Sequence, residues 1–102
     1  MTERDPETQS SCAEWARDTF GPARPPERLA KRLETEVREL HAAIRNESSE
    51  AVALEAADCL ILLYRIAEEA GVSLHDALDR KMAINRQRQW VPAGDGTGSH
   101  LA

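Results

Sequence analysis

The chain has 102 residues, a formal net charge of −5 and few aromatic residues, at 4%. This length fits one domain, and the acidic balance argues against binding polymeric nucleic acid, which needs a basic face. Two cysteines make no disulfide framework, the N-terminus does not resemble a signal peptide, and the longest apolar run, Cys59–Tyr64, is too short for a membrane span. We therefore expect a cytoplasmic protein with no membrane partner.

The first two predicted elements are helices that follow a polar tail, residues 1–9. Ser10 or Ser11 is expected to cap a short helix, CAEWARDTF, which Gly21-Pro22 ends. The second helix should run from about Pro26 to Arg45, because its apolar residues recur at steps of four, four, three and four. They form one helical stripe, made of Leu29, Leu33, Val37, Leu40 and Ile44.

The third and fourth helices follow the connection NESS. Ser48 or Ser49 should cap the third helix, which ends near Ala70 with Gly71 as its stop. Its stretch 51–67 is apolar nearly all round, so protein should cover most of its circumference. Ser73 begins SLHD, a capping-box variant with Asp76 three residues on, and the fourth helix should run from there to about Gln89. Its inner side should be marked by Leu74, Ala77, Leu78, Lys81, Met82 and Asn85.

The fold class predicted from these elements is all-α. We expect an antiparallel bundle of about four helices in a single domain, 1–102, completed by oligomerisation. Trp90-Val91-Pro92 should end the last helix, and the Gly-rich segment 93–102 should be a flexible tail.

Two acidic motifs, Glu36-x-x-Glu39 and Glu55-x-x-Asp58, stand out at a separation of 15 residues. Each places two carboxylates on adjoining turns, about 4.5 Å apart along the helix axis. Antiparallel neighbours would turn all four toward one groove, where oxygen ligands suit Mg²⁺ and the ion in turn suits phosphate oxygens. Glu36 should border the core, and Glu39 should lean toward solvent.

Each motif has a simpler alternative. Glu36 and Glu39 lie on a charged helix where Arg32 and Arg38 could pair with them as solvated surface. Glu55 and Asp58 lie in an apolar helix, where the competing interpretation is a structural salt bridge to Arg65 or Arg45. The two motifs together, on adjacent helices, favour a metal site.

Further candidates are cationic and aromatic. Lys81, Asn85 and Arg88 share one face of the last helix and could hold phosphate oxygens, although basic residues at a helix C-terminus are also favourable without a ligand. Aromatic side chains could stack on a base or pack in a core or subunit contact; these are Trp15, Phe20 and Trp90. His41 and His75 are expected at the surface or at helix ends, and Cys59 as a small buried hydrophobe.

The ExxE and ExxD motifs, followed by a basic K-x-x-x-N helix, resemble the all-α nucleoside triphosphate pyrophosphohydrolases of the MazG-like superfamily. WARDTFGP, at 15–22, and KMAINRQRQW, at 81–90, look like the phage-type dATP/dGTP diphosphohydrolase branch. The resemblance covers about Trp15–Pro92, and the chain lacks a second MazG repeat and any long insertion.

The resemblance implies a set of functional residues. Mg²⁺ or Mn²⁺, with roughly two or three ions per site, would be bound by Glu36, Glu39, Glu55 and Asp58. Phosphates or sugar would be contacted by Lys81, Asn85 and Arg88. It also implies a bundle completed by dimerisation, often tetrameric, with sites near the subunit contacts.

The expected activity is metal-dependent hydrolysis of a purine deoxynucleoside triphosphate, dGTP or dATP, to monophosphate and pyrophosphate. The purine preference rests on the resemblance alone, as does the expected setting, a bacterial or phage-infected host cytoplasm. Glu36 is the candidate for orienting or deprotonating the attacking water, with Glu39 as the second catalytic acid. The alternatives are a non-catalytic helical oligomerisation module and, less favoured, a di-iron bundle, which would use a Glu-x-x-His motif that the chain lacks.

Overall fold

The computed structural model describes residues 5–46 and 48–101. Its helices are α1 (Gln9–Phe20), α2 (Glu27–Asn46), α3 (Ser49–Glu69) and α4 (Leu74–Gln87). Two short antiparallel strands follow, β1 (Trp90–Pro92) and β2 (Gly98–His100), with Trp90 opposite His100. The prediction of four helices is confirmed, whereas the sequence predicted no strand. The first four residues of the predicted N-terminal tail, Glu47 of the NESS connection and the last residue lie outside the described residues.

Helix α1 begins three residues earlier than predicted. The Thr8 hydroxyl accepts a hydrogen bond from the Ser11 backbone N–H (3.0 Å), and the Ser11 hydroxyl accepts one from the Thr8 N–H (2.7 Å). This capping box uses two hydroxyls at a spacing of three residues. The prediction that Ser10 or Ser11 is the N-cap is therefore wrong, because Ser11 serves as the third residue of the box. Ser48 and Ser73 cap α3 and α4 as predicted.

Helix α3 is the central element, and both α1 and α2 pack on it. The buried apolar set is small: Ala13, Ala16, Leu29, Ala43, Cys59, Leu62, Tyr64 and Ala67. Of the α2 stripe, Leu29 is buried and Leu33 and Leu40 are half-buried, while Val37 and Ile44 are exposed. The core of one chain therefore covers only part of the apolar surface that the sequence offers.

The expectation that protein covers α3 nearly all round is not met within one chain. Leu54, Leu60 and Leu63 on this helix are exposed. The helix ends as predicted: Gly71, at a positive φ of 71°, donates to the Glu68 carbonyl, and Val72 donates to the Ala67 carbonyl. This pair of bonds is a Schellman motif, in which glycine takes the left-handed position without a side-chain penalty.

Helix α4 packs sparsely. All its residues are described and none is buried, and its predicted inner side includes the exposed Leu78 and Lys81. The radius of gyration, 16.4 Å, exceeds the ~13 Å expected of a compact domain of this size. The chain is thus an open structure in which α4 and the hairpin stand apart from the core. No helix among the described residues has the length and apolarity needed to cross a membrane.

One side chain ties the start of α1 to the α3–α4 turn. The Gln9 amide nitrogen donates to the Glu68 carboxylate and to the Val72 carbonyl, and its oxygen accepts from the Leu74 N–H, each at 2.8 Å. Nearby, the Tyr64 hydroxyl and His75 Nε2 are hydrogen-bonded at 3.0 Å, a partner for His75 that the sequence did not predict. These bonds hold the first turn of α4.

Candidate metal centre and adjoining cleft

Three carboxylates converge where α2 faces α3. Glu36, Glu39 and Glu55 can each offer an oxygen such that these atoms all lie within 4.8 Å of one another. Next to this cluster lies a cleft that is lined by Arg32 and Glu36 of α2 and by Asp58 and Arg65 of α3. From the cluster to the cleft, the residue numbers decrease along α2 and increase along α3. The two helices are therefore antiparallel neighbours, as the short connection predicted.

The burial of the three acids differs. Glu36 is buried at 7% exposure, Glu55 is half-buried and Glu39 is exposed. This matches the predicted placement of Glu36 at the core border and of Glu39 toward solvent. The cluster consequently has a protected floor and an open side through which an ion could enter.

Two buried oxygens in the cluster have no hydrogen-bond partner among the described residues: Glu36 Oε2 and Glu55 Oε2. The other Glu36 oxygen, Oε1, pairs with Arg32 Nη2 at 2.9 Å. Burying an unpartnered carboxylate oxygen is costly, so a cation is expected there. These residues fit a hard divalent ion, which prefers oxygen ligands.

The salt-bridge alternative is not met among the described residues. Neither Glu55 nor Asp58 forms an ion pair there, and Arg65 instead directs its Nη2 to the Gly21 carbonyl at a long 3.4 Å. Arg32 does pair with Glu36, as the alternative for the ExxE motif anticipated. The Arg32 side chain is 63% exposed, so solvent screens this pair, and the pair uses only Oε1, which leaves Oε2 available to an ion.

The buried thiol of Cys59 lies in the negative field of these acids. Burial raises its pKa, and the charges of Glu36, Asp58 and Glu55 raise it further. The thiol therefore stays protonated, as expected of the small buried hydrophobe that the sequence predicted.

Asp58 lies outside the three-carboxylate cluster. Its side chain is exposed and borders the adjoining cleft together with Glu36. The sequence placed both acids of the ExxD motif on a helix that protein should cover nearly all round, and this expectation is wrong for Asp58. Three residues turn an α-helix by about 300°, so Glu55 and Asp58 stand about 60° apart, and Glu55 joins the carboxylates of α2 while Asp58 borders the cleft.

The adjoining cleft has a volume of about 510 Å³ and both apolar and charged walls. It is lined by Trp15, Phe20, Arg32, Glu36, Asp58, Ile61, Leu62 and Arg65. The rings of Trp15 and Phe20 meet edge to face with centroids 5.6 Å apart, and both are more than half exposed. Two of the predicted stacking residues thus lie beside the acidic cluster.

The other predicted substrate residues lie elsewhere in this chain. Lys81, Asn85 and Arg88 line neither the carboxylate cluster nor the cleft. Trp90 donates from Nε1 to the Asn85 carbonyl at 2.7 Å and packs edge to face on His100. Asn85 Oδ1 is buried and has no partner among the described residues.

Sequence reasoning missed Arg65 and Arg32 as lining residues of the cleft, having treated them only as possible salt-bridge partners. A usable signal was present: Asp58, Leu62 and Arg65 follow at steps of four and three, which places them on one face of α3.

A second hollow, about 520 Å³ in volume, lies where α1 begins, beside Gln9, Gly71 and His75. The Gln9 hydrogen bonds described above account for its polar groups. Because none of the three clustered carboxylates lines this hollow, we assign it to the packing of α4 rather than to catalysis.

Comparison with known proteins identifies the family of this chain. A sequence profile described as dATP/dGTP pyrophosphohydrolase matches residues 8–101. The dATP/dGTP diphosphohydrolase of Cyanophage S-2L is 38% identical over 95 residues, which are 93% of this chain and 86% of that protein. The dATP/dGTP diphosphohydrolase of Salmonella phage PMBT28 is also 38% identical over 95 residues, and the match spans 31% of its length.

A solved structure gives the same result at the level of the fold. The MazG-like pyrophosphohydrolase of Cyanophage S-2L, bound to dGDP and three catalytic Mn²⁺ ions per active site, superposes with a TM-score of 0.76 at 35% identity. The match covers 92% of this chain and 89% of that one. The resemblance stated from the sequence is confirmed, and the chain belongs to the dATP/dGTP pyrophosphohydrolase family.

Proposed function

We propose that this chain is a metal-dependent diphosphohydrolase that converts dGTP and dATP to the monophosphate and pyrophosphate. The observation that carries the proposal is the pair of buried, unpartnered oxygens of Glu36 and Glu55 within a three-carboxylate cluster. The names of the two phage relatives, and the dGDP and Mn²⁺ of the S-2L structure, support the substrate and the cofactor.

Mg²⁺ or Mn²⁺ would be held by Glu36, Glu39 and Glu55, with Asp58 as a fourth ligand from the edge of the cleft. When bound, such ions neutralise the charge of a triphosphate and lower the pKa of the attacking water. Burial and the pair with Arg32 orient the Glu36 carboxylate toward the cluster, where it would orient the attacking water and take up its proton. Water oxygen then bonds to phosphorus as the bond to the departing phosphate oxygen breaks.

The cleft beside the cluster would hold the nucleoside. Trp15 and Phe20 present ring surface to a base, which can stack on an aromatic side chain. The exposed Arg32, one turn of α2 from Glu36, borders both regions and could bind a phosphate oxygen.

Product analysis across the eight common nucleoside triphosphates, with Mn²⁺, tests the activity. We expect dGMP and dAMP with pyrophosphate, and hydrolysis in ¹⁸O-water would show which phosphorus is attacked. Calorimetric titration with Mn²⁺ and then dGMP separates the enzyme from an oligomerisation module, which should bind neither. Absence of both binding and turnover would overturn the proposal.

We further propose that the active protein is a homo-oligomer, a dimer or tetramer. One chain leaves Leu54, Leu60 and Leu63 of α3 and Leu78 and Ile84 of α4 exposed, and covering this surface would be favourable. Lys81, Asn85 and Arg88 would then reach the triphosphate from α4 of a second copy, because they are remote from the cleft of their own chain. Trp90, next to Asn85, would support that contact.

Mixing two inactive variants tests this arrangement. Glu55→Gln removes a metal ligand and Lys81→Ala removes a phosphate contact, so each homo-oligomer should be impaired. Subunit exchange would place both intact halves in one site and restore part of the activity. If the mixture is no more active than its components, the two groups act within one chain.

A further inference from the structure

We infer that Arg65 makes the site selective for purines by donating a hydrogen bond to N7 of the base. This inference rests on the proposed function and names what that site recognises. The family profile and the relatives pair dATP with dGTP in their names, and they do not say which residue selects these bases.

The position of Arg65 fits one end of a bound nucleotide. Asp58 and Arg65 are separated by seven residues of α3, which is about 10 Å of rise and close to two full turns. They therefore lie on one face, and both line the cleft. Phosphates placed at the acidic end would direct the nucleoside along this face toward Arg65.

The aromatic pair defines where the base would lie. Trp15 and Phe20 form the side of the cleft contributed by α1. The Arg65 guanidinium carbon lies 5.9 Å from the centroid of the Phe20 ring, over its face, which is a cation–π geometry. The two rings stand at 86° to each other, so a base can stack flat on only one of them, and the guanidinium already lies over Phe20. We therefore place the base on Trp15, with one of its edges directed at the guanidinium.

Arg65 has donors to spare. A guanidinium carries five N–H groups, and among the described residues only one bond uses them, the long contact to the Gly21 carbonyl. The Arg65 side chain is half-buried, so its position is restrained, although the described residues bind only one of its N–H groups. The remaining donors can meet an acceptor in the cleft.

On the major-groove edge of a purine, N7 is the acceptor that adenine and guanine share. They differ at position 6, where guanine has an acceptor and adenine a donor, and pyrimidines have no N7. A donor directed at N7 therefore accepts both purines and rejects both pyrimidines. The second contact that an arginine makes to guanine O6 would give dGTP a modest advantage over dATP.

The competing interpretation is structural: Arg65 could serve only to bind the carbonyl at the end of α1. Such a role would affect all substrates equally. The 7-deaza forms of dGTP and dATP replace N7 with a carbon, so they lose the proposed contact and little else.

The experiment compares kcat/KM for dGTP, dATP and their 7-deaza forms in the wild-type protein, in Arg65→Met and in a control variant, Arg80→Met. Arg80 is an exposed arginine of α4 that does not line the cleft. Loss of a hydrogen bond to a charged donor should reduce wild-type kcat/KM by about 10- to 100-fold for the 7-deaza forms. In Arg65→Met, natural and 7-deaza substrates should become equal, while Arg80→Met should keep the wild-type discrimination. Calorimetric binding of dGMP and 7-deaza-dGMP gives the same comparison without turnover.

Equal use of natural and 7-deaza substrates by the wild-type protein would overturn the inference, whatever happens to the variant. So would an Arg65→Met protein that still discriminates, or one whose kcat/KM falls equally for both. A wild-type protein that hydrolyses no triphosphate would overturn the proposed function, and the two monophosphate affinities would still decide the contact to N7.

Discussion

The groove between α2 and α3 and the arm formed by residues 74–101 are built in opposite ways. The groove contains the buried Leu62 and Cys59 and three converging carboxylates. The arm, which comprises α4 and the hairpin, buries none of its described residues. Groups that need fixed relative positions therefore lie on the packed helices. The arm instead exposes apolar and cationic surface that is available for contacts with another chain.

The hairpin at the end of the arm is held by local bonds. The Ala93 N–H donates to the Thr97 carbonyl and the Leu101 N–H to the Gln89 carbonyl, and Trp90 packs on His100. An isolated two-stranded hairpin is marginally stable in water. Its predicted flexibility stays a prediction, although the described residues form a definite turn and register.

Removing a carboxylate from the groove should have the largest effect. Glu55→Gln is expected to lower metal-dependent kcat/KM by about 1000-fold, because an ion held by the cluster loses one of its charged oxygens. Far-UV circular dichroism should show unchanged helix content. Glu50→Gln, an exposed acid in the first turn of the same helix, is the matched control and should retain activity.

Asp58→Asn should be milder, at about tenfold, because Asp58 borders the cleft outside the cluster. Full activity of Glu55→Gln would contradict the metal role of the groove. A larger loss in Asp58→Asn than in Glu55→Gln would show that the cluster rearranges when ions bind.

Truncating one leucine in each region compares their packing. Leu62→Ala should lower the free energy of unfolding by about 3 kcal/mol at any protein concentration, because Leu62 is 8% exposed and its removal leaves a cavity. Leu78 is 53% exposed, so Leu78→Ala should change the stability of the isolated chain by less than about 0.5 kcal/mol. Its expected effect is weaker self-association, measured by sedimentation velocity.

Urea titrations at two protein concentrations check this pair. A loss for Leu78→Ala that equals that of Leu62→Ala and does not vary with concentration would place Leu78 in the core of one chain. That outcome would remove the contrast between groove and arm.

A substitution confined to the hairpin should leave the groove unchanged. A Cβ at Gly98 would overlap the Val91 carbonyl oxygen, so Gly98→Ala should separate the strands. We expect loss of the nuclear Overhauser contacts between Trp90 and His100, with less than about 0.5 kcal/mol change in global stability. Ser99→Ala, in the same strand, should keep these contacts. Global unfolding by Gly98→Ala would show that the hairpin supports the core.

The smallest effect should come from pH. The Asp95 carboxylate accepts from the Thr97 hydroxyl (2.7 Å) and the Thr97 N–H (2.9 Å), and these bonds lower its pKa below the ordinary 3.8. A lowered pKa contributes stability above the unfolded value that is lost as pH falls through the folded value. The turn should therefore loosen only below about pH 4, as followed by the Thr97 amide resonance. In Asp95→Asn that transition should be absent.

Much of the fold could be predicted because its signals are local. The α2 periodicity, the Ser48 and Ser73 caps and the Gly71 stop each act within a turn or two of helix, and the structure confirms the helices that they predicted. Val37 and Ile44 of the α2 stripe are nevertheless exposed. The placement of Glu36 inside and Glu39 outside followed from the same periodicity. The start of α1 was missed because three nearby hydroxyls compete for one cap, and the hairpin was missed because Gly-rich sequence predicts turns better than strand pairing.

The sequence by itself determined four helices and the spacing of two acidic pairs, since both depend on neighbours along the chain. Only the tertiary structure decided which acids converge: it brought Glu36, Glu39 and Glu55 together and left Asp58 on the cleft wall. The fold also places Arg65 beside Trp15 and Phe20 and leaves α4 only sparsely packed. The reason is physical, because the direction in which a side chain points across a groove depends on the packing and rotation of whole helices.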